Sequence, residues 1–71
     1  MPSNTFLNLP DDKRERIISA ALEEFANNDF RNASITRMVR SLGIAKGSVY
    51  QYFKDKKDLY LYLLVFVTVF L

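Results

Sequence analysis

Seventy-one residues make one domain at most, close to the lower limit at which a core without covalent staples holds a fold. The chain has no cysteine and no histidine, which excludes disulfides, thiolate chemistry and the commonest metal ligand together and permits an intracellular setting. The formal net charge of +2 conceals a division: acids outnumber bases six to three up to Phe30, whereas from Arg31 to Lys57 seven bases (Arg31, Arg37, Arg40, Lys46, Lys54, Lys56, Lys57) stand against Asp55 alone. Positive charge gathered on one stretch is the electrostatic footprint of a phosphate-binding surface.

Residues 1–9 mix Ser, Asn and Thr with Phe6, Leu7 and Leu9, show no period and read as a flexible arm without a Lys or Arg to probe a groove. They also lack the apolar core of a secretory signal, so no export is expected. A first helix is expected to begin between Pro10 and Asp12, where proline suits a first turn and the acids favour the positive end of the helix dipole. Ile17, Ile18, Ala21, Leu22, Phe25 and Ala26 form its apolar stripe. It should stop in Asn27-Asn28-Asp29, residue types that prefer turns and caps, with Phe30 and Ala33 packed beneath the loop.

Ser34 is suited to cap a second helix by accepting an orphaned backbone N–H. Ile35, Met38, Val39 and Leu42 then follow the i, i+3, i+4, i+7 spacing of a buried helical stripe. Arg37 sits in the first turn, where a cation opposes the dipole by about 0.3–1 kcal/mol, which points to a use off the helix, on a phosphate or a base. Gly43 is the residue best able to take the left-handed conformation that ends this helix and turns the chain into the next.

A third helix is expected over about 46–53, with Ala45 at a cap position where Ser or Thr would be better by about 1 kcal/mol. If Val49 and Phe53 point inward, Gln51 points most nearly outward, with Gly47 and Ser48 beside it and Tyr50 and Tyr52 on its shoulders. Glutamine can pair bidentately with adenine, and tyrosine hydroxyls can reach phosphates. Plainer readings stand beside these: Tyr50 and Tyr52 as core aromatics with wet hydroxyls, Gln51 as a spectator, and Gly47 as a point of close helix packing. Helix, glycine turn, helix is nonetheless the arrangement by which proteins read duplex DNA.

Asp55 is a plausible cap for a fourth helix, and Lys56 stands at its start, where helix termini bind phosphates well. From Leu59 to Leu71 there is no charge. That run rises about 20 Å as a helix, short of a roughly 30 Å hydrocarbon core, so a membrane span is disfavoured. Residues 65–71 alternate enough to leave a strand open. A helix apolar on every face must be covered, and nothing left in the chain is large enough to cover it.

Three pieces, KRERIISAALEEFANNDF, ASITRMVRSLGIAKGSVYQYF and KDKKDLYLYL, resemble the amino-terminal DNA-binding domain of the TetR family of bacterial transcriptional regulators, over residues 13 to about 64. The densest match is GIAKGSVYQYFKDKKDL. The resemblance implies an all-α, three-helix, homeodomain-like helix-turn-helix domain over residues 10–57, with 58–71 as the start of a fourth helix leading to an effector and dimerisation domain. It implies DNA-contacting positions at Thr36, Arg37, Lys46, Gly47, Ser48, Tyr50, Gln51 and Tyr52, and it matches Lys56 to the family's phosphate-binding lysine. Ala45 departs from the serine often found at that position.

The expectation is a sequence-specific transcriptional regulator, most simply a ligand-responsive repressor in the bacterial cytoplasm at the nucleoid. Its partners would be a palindromic DNA operator, a second copy of the chain and a small-molecule effector, with no membrane involved. The alternative is a small protein-interaction or membrane-surface module that works through the apolar tail 59–71. No enzyme is expected: Glu23 and Glu24 are adjacent and point about 100° apart, and there is no catalytic set, metal site or cofactor motif.

Overall fold

Five helices follow one another in the computed structural model, which describes residues 1–70 and, at Phe70, the backbone alone: α1 (Asn4–Leu7), α2 (Asp11–Asn27), α3 (Ile35–Leu42), α4 (Lys46–Tyr52) and α5 (Lys56–Phe70). The four helices expected from the sequence are α2 to α5, and there is no strand among the described residues. The tail whose periodicity left a strand open continues α5 as far as Phe70; Leu71 lies outside the described residues.

Local chemistry sets the helix ends. Ser34 Oγ accepts the Arg37 N–H at 3.1 Å and starts α3. Gly43 ends it with φ +70° and ψ 25°, while the Gly43 and Ile44 N–H groups both return to the Val39 carbonyl. At the start of α5, Asp55 accepts the Asp58 N–H at 2.8 Å, and Asp58 reaches back to the Lys54 N–H at 2.9 Å, a reciprocal arrangement close to a capping box. α4 begins without a side-chain cap at Ala45.

The core gathers Ile17, Ile18 and Ala21 from α2, Ile35, Met38 and Val39 from α3, Val49 and Tyr52 from α4, and Leu59 and Leu63 from α5. Phe53 closes it at the end of α4. Ile17, Ile18, Ala21, Leu22 and Phe25 of the expected α2 stripe lie in the core or against it, with two exceptions to the expectation. Ala26 is exposed, whereas Glu24 is buried in line with Ile17 and Ala21, spacings of four and three that bring side chains to one face.

Residues 1–9 are not a flexible arm. They fold into α1, and Phe6 is 0% exposed among the rings of Phe53 (centroids 4.9 Å apart), Tyr52 and Tyr62 (both 5.7 Å). The physical reason is the burial of one large aromatic ring, which outweighs the weak local propensity of a four-residue helix. Ser3 caps α1, and Arg14 Nη1 on α2 donates to the carbonyls of Leu7 and Leu9 at 3.1 and 2.9 Å. The packed unit also passes the boundary expected at residue 57, because Leu59 and Leu63 of α5 belong to the same core. Beyond that stripe α5 is apolar and exposed at Leu61, Leu64, Val65 and Val69.

Phe6→Ala should cost about 3–5 kcal/mol, the usual range for emptying an aromatic site in a core. Urea denaturation followed by circular dichroism would measure it. A change within 0.5 kcal/mol would restore the loose arm.

Candidate nucleic-acid interface

α4 is two turns long and presents one open side. Val49 is fully buried and anchors the inner face, so Gly47 and Gln51, one turn apart, point most nearly outward, with Tyr50 beside them. Lys46, Gly47, Tyr50 and Gln51 are all exposed there, and Ser48 is half-buried at its edge. Gln51 therefore faces solvent, as the helical period requires. A Cβ built on Gly47 would meet nothing within 4 Å, so close helix packing is not what keeps this position without a side chain.

Tyr52 lies elsewhere than expected. Its ring is in the core, 6% exposed and against Phe6, so it is not a shoulder of the open face. Tyr52 follows Ser48 by one turn and Val49 by three residues, which draws it inward. No buried side-chain nitrogen or oxygen goes unpartnered among the described residues, and no protein group bonds the Tyr52 hydroxyl, so that hydroxyl reaches the surface while the ring does not.

On α3, Thr36 is exposed and unencumbered, whereas Arg37 is held. Its Nε donates to Glu24 Oε1 and Oε2 at 3.2 and 3.0 Å, and its Nη2 donates to Glu24 Oε2 and to the Asn32 carbonyl. Glu24 Oε2 also accepts the Ser34 N–H at 2.9 Å and the Asn28 amide at 3.2 Å. This carboxylate ties the end of α2 to the start of α3 and offsets the unfavourable charge of Arg37 in that first turn. The signal was present in the sequence: Ile17, Ala21, Glu24 and Asn28 fall on one helical face, which marks Glu24 as inward.

Lys56 also has internal partners. Its Nζ donates to the Arg31 and Ala33 carbonyls at 3.3 and 3.2 Å and sits 4.6 Å from the centre of the Phe30 ring. The lysine thus fastens α5 to the loop before α3, with one donor left over. Besides Lys56, the cations of the basic stretch without an acidic partner among the described residues are Arg31, Arg40, Lys46, Lys54 and Lys57, all of them exposed. Among the described residues no group of acidic side chains is arranged to hold a metal.

The Arg37 guanidinium beside it, more than any other influence, holds the Glu24 carboxyl below the ordinary carboxylate value of 4.5, and the Ser34 N–H adds to the effect. The folded chain therefore releases this proton more readily than the unfolded one. Its contribution to stability is complete above pH 4.5 and falls away as pH drops through the lower folded-state value. Unfolding free energy measured against pH should decline below that point, and Glu24→Gln should remove part of the slope. Asp58, lowered by its bonds to the amino terminus and the Lys54 N–H, would keep the remainder. An acid slope untouched by Glu24→Gln would assign the whole effect to other carboxylates.

Comparison with known proteins places these features in context. The family described as "Bacterial regulatory proteins, tetR family" matches residues 17–63. The fatty acid metabolism regulator protein of Bacillus subtilis (strain 168) is 36% identical over 47 residues, covering 66% of this chain and 24% of that protein. An HTH-type transcriptional regulator of Staphylococcus aureus (strain USA300) is 36% identical over 64 residues, covering 83% of this chain and 35% of that protein. The crystal structure of a TetR family transcriptional regulator from Chloroflexus aurantiacus J-10-FL superposes with a TM-score of 0.88 at 57% identity, over 93% of this chain and 30% of the other. The chain thus spans about a quarter to a third of the length of these relatives.

Proposed function

The chain belongs to the tetR family of bacterial regulatory proteins and carries its helix-turn-helix DNA-binding domain, and from that premise we propose that α4 is the recognition helix, entering the major groove of an operator. The observation that carries this reading is the outer face of α4. It combines a glycine with open space over it, an outward Gln51, an exposed Tyr50 and a lysine at the first turn, with none of the described residues covering them. Gly47 lets the backbone come close to the sugar-phosphate chain, Gln51 reads one base edge, and Lys46 and Tyr50 bond phosphates. Thr36 and Ser48 add neutral hydroxyl contacts.

Arg37 contributes differently from a free arginine. Glu24 neutralises and orients it, and Nη1, which bonds to nothing within the described chain, is the donor offered to a phosphate. Lys56 keeps its carbonyl partners and has one donor for the DNA backbone. The Tyr52 hydroxyl is a rim contact at most, since its ring is committed to the core. Arg31, Arg40, Lys54 and Lys57 add sequence-independent attraction and the salt dependence that accompanies it.

In the longer protein, two such heads would read a palindrome as a homodimer. A small effector bound by a further helical domain would alter their spacing, and the regulator would act in the bacterial cytoplasm as a repressor. Support for this part comes from the relatives' greater length and from the exposed apolar side of α5, which needs a cover. No helix among the described residues is long and apolar enough to cross a bilayer.

Selection of duplexes from a randomised pool should return a defined site for this chain. Gln51→Ala should change preference at one base pair, whereas Lys46→Ala should weaken binding to all duplexes and lower the salt slope by about 1. A Gln51→Ala chain that selects the parent's site unchanged would remove Gln51 as a reader.

Gly47→Ala separates fold from function in one residue. Alanine in a helix is better than glycine by about 0.5–1 kcal/mol, and space is open for it, so thermal stability should rise. Affinity for the selected site should fall, since the methyl stands between backbone and DNA. Rising stability with undiminished affinity would show that nothing approaches that backbone.

A further inference from the structure

We propose that residues 1–9 are a brace for the C-terminal end of the recognition helix, with Ser3 and Phe6 as positioning residues that act on DNA only through Gln51 and Tyr52. The proposal rests on the reading of α4 given above. It concerns residues that lie outside the stretch matched to the family, 17–63.

A helix of seven residues leaves its last four carbonyls without partners inside the helix, a large fraction of so short an element. Here the N-terminal segment supplies two of the missing donors. The Ser3 N–H bonds the Tyr52 carbonyl at 2.9 Å, and the Ser3 hydroxyl bonds the Gln51 carbonyl at 2.8 Å. The same hydroxyl oxygen accepts the Phe6 N–H at 3.4 Å and so starts α1. One side chain therefore joins the start of α1 to the backbone of the residue proposed to read a base.

Phe6 holds the joint from beneath. Its ring touches those of Tyr52 and Phe53, the last residue of α4 and the one after it, so rotation or fraying of that end has to displace a fully buried ring. The segment is secured at its other end by Arg14 of α2, bonded to Leu7 and Leu9, and at its start by the bond between the amino terminus and Asp58. No Lys or Arg lies in residues 1–9, and the amino-terminal ammonium is paired with Asp58. The brace consequently adds orientation to the reading helix without adding attraction to the DNA backbone, which separates it from a basic arm that enters a groove.

Ser3→Ala is the direct test, because it removes the hydroxyl bonds and leaves the buried ring in place. In the full chain, at a temperature where circular dichroism shows it folded, discrimination between the selected duplex and the duplex changed at the Gln51 base pair should fall about three- to tenfold, the range of one lost hydrogen bond. The salt slope and the affinity for unrelated duplex should not move, since no charge has changed. Amide exchange at Phe53, whose N–H bonds the Val49 carbonyl at 2.8 Å, should quicken. Ser3→Thr, which keeps the hydroxyl, should restore all three readings to the parent's. Phe6→Leu, a milder change than removal of the ring, should lower discrimination in the same direction.

Unchanged discrimination in Ser3→Ala, with the parent chain still choosing its site, would overturn the brace alone. A parent chain that chooses no site would overturn the recognition-helix reading and the brace with it. Equal losses on selected and unrelated duplexes would also defeat the proposal, since they describe general damage rather than a misaligned reader.

Discussion

A seven-residue helix forms too few internal hydrogen bonds to offset the cost of its own nucleation, so α4 exists because its surroundings hold it. This constraint accounts for much of the rest. Val49 is driven fully into the core, Tyr52 and Phe53 are clasped by Phe6, and the Gly43 turn fixes the direction in which the helix leaves α3. The outer side of the helix contributes nothing to that packing. It is free to carry a glycine, a glutamine and a lysine that the packing does not require.

Charge is distributed by the same division of labour. The basic stretch contains cations of two kinds, some engaged within the fold and some facing water. Arg37 and Lys56 bind the ends of helices to the loop around Asn32, one through the Glu24 carboxylate and the other through carbonyl oxygens and an aromatic face. Each therefore holds the outer surface of α3 and α4 in place from within the fold. The exposed cations are the long-range part, attractive to any polyanion and weakened by salt. A surface that combines oriented cations with free ones can separate register from attraction, and register is what the two-helix unit adds.

α5 has one buried side and one open apolar side. Leu59 and Leu63 are among the most buried side chains, while Leu64, Val65 and Val69 leave about half or more of their surface open. The same helix is tied at its start through Lys56 to the loop before α3, so its position and that of the helix pair are coupled.

Much was legible in the chain itself. The spacing of Ile35, Met38, Val39 and Leu42, the caps at Ser34 and Asp55 and the glycine at 43 are short-range features, determined by the helical period and by backbone conformations that few residues adopt. The outward direction of Gln51 follows from the same period, and the family from the density of matching residues between Gly43 and Leu59. Tertiary structure alone decided the cases in which one residue's role depends on a neighbour far along the chain. Phe6 gave no periodic signal because its partners are forty-six residues and more away; Tyr52, expected on a shoulder of the open face, is drawn to the core by Phe6. Arg37 and Lys56 carry charge in the sequence, but whether a cation faces water or a carboxylate is settled by which helix ends meet, and the sequence of one helix does not contain that information.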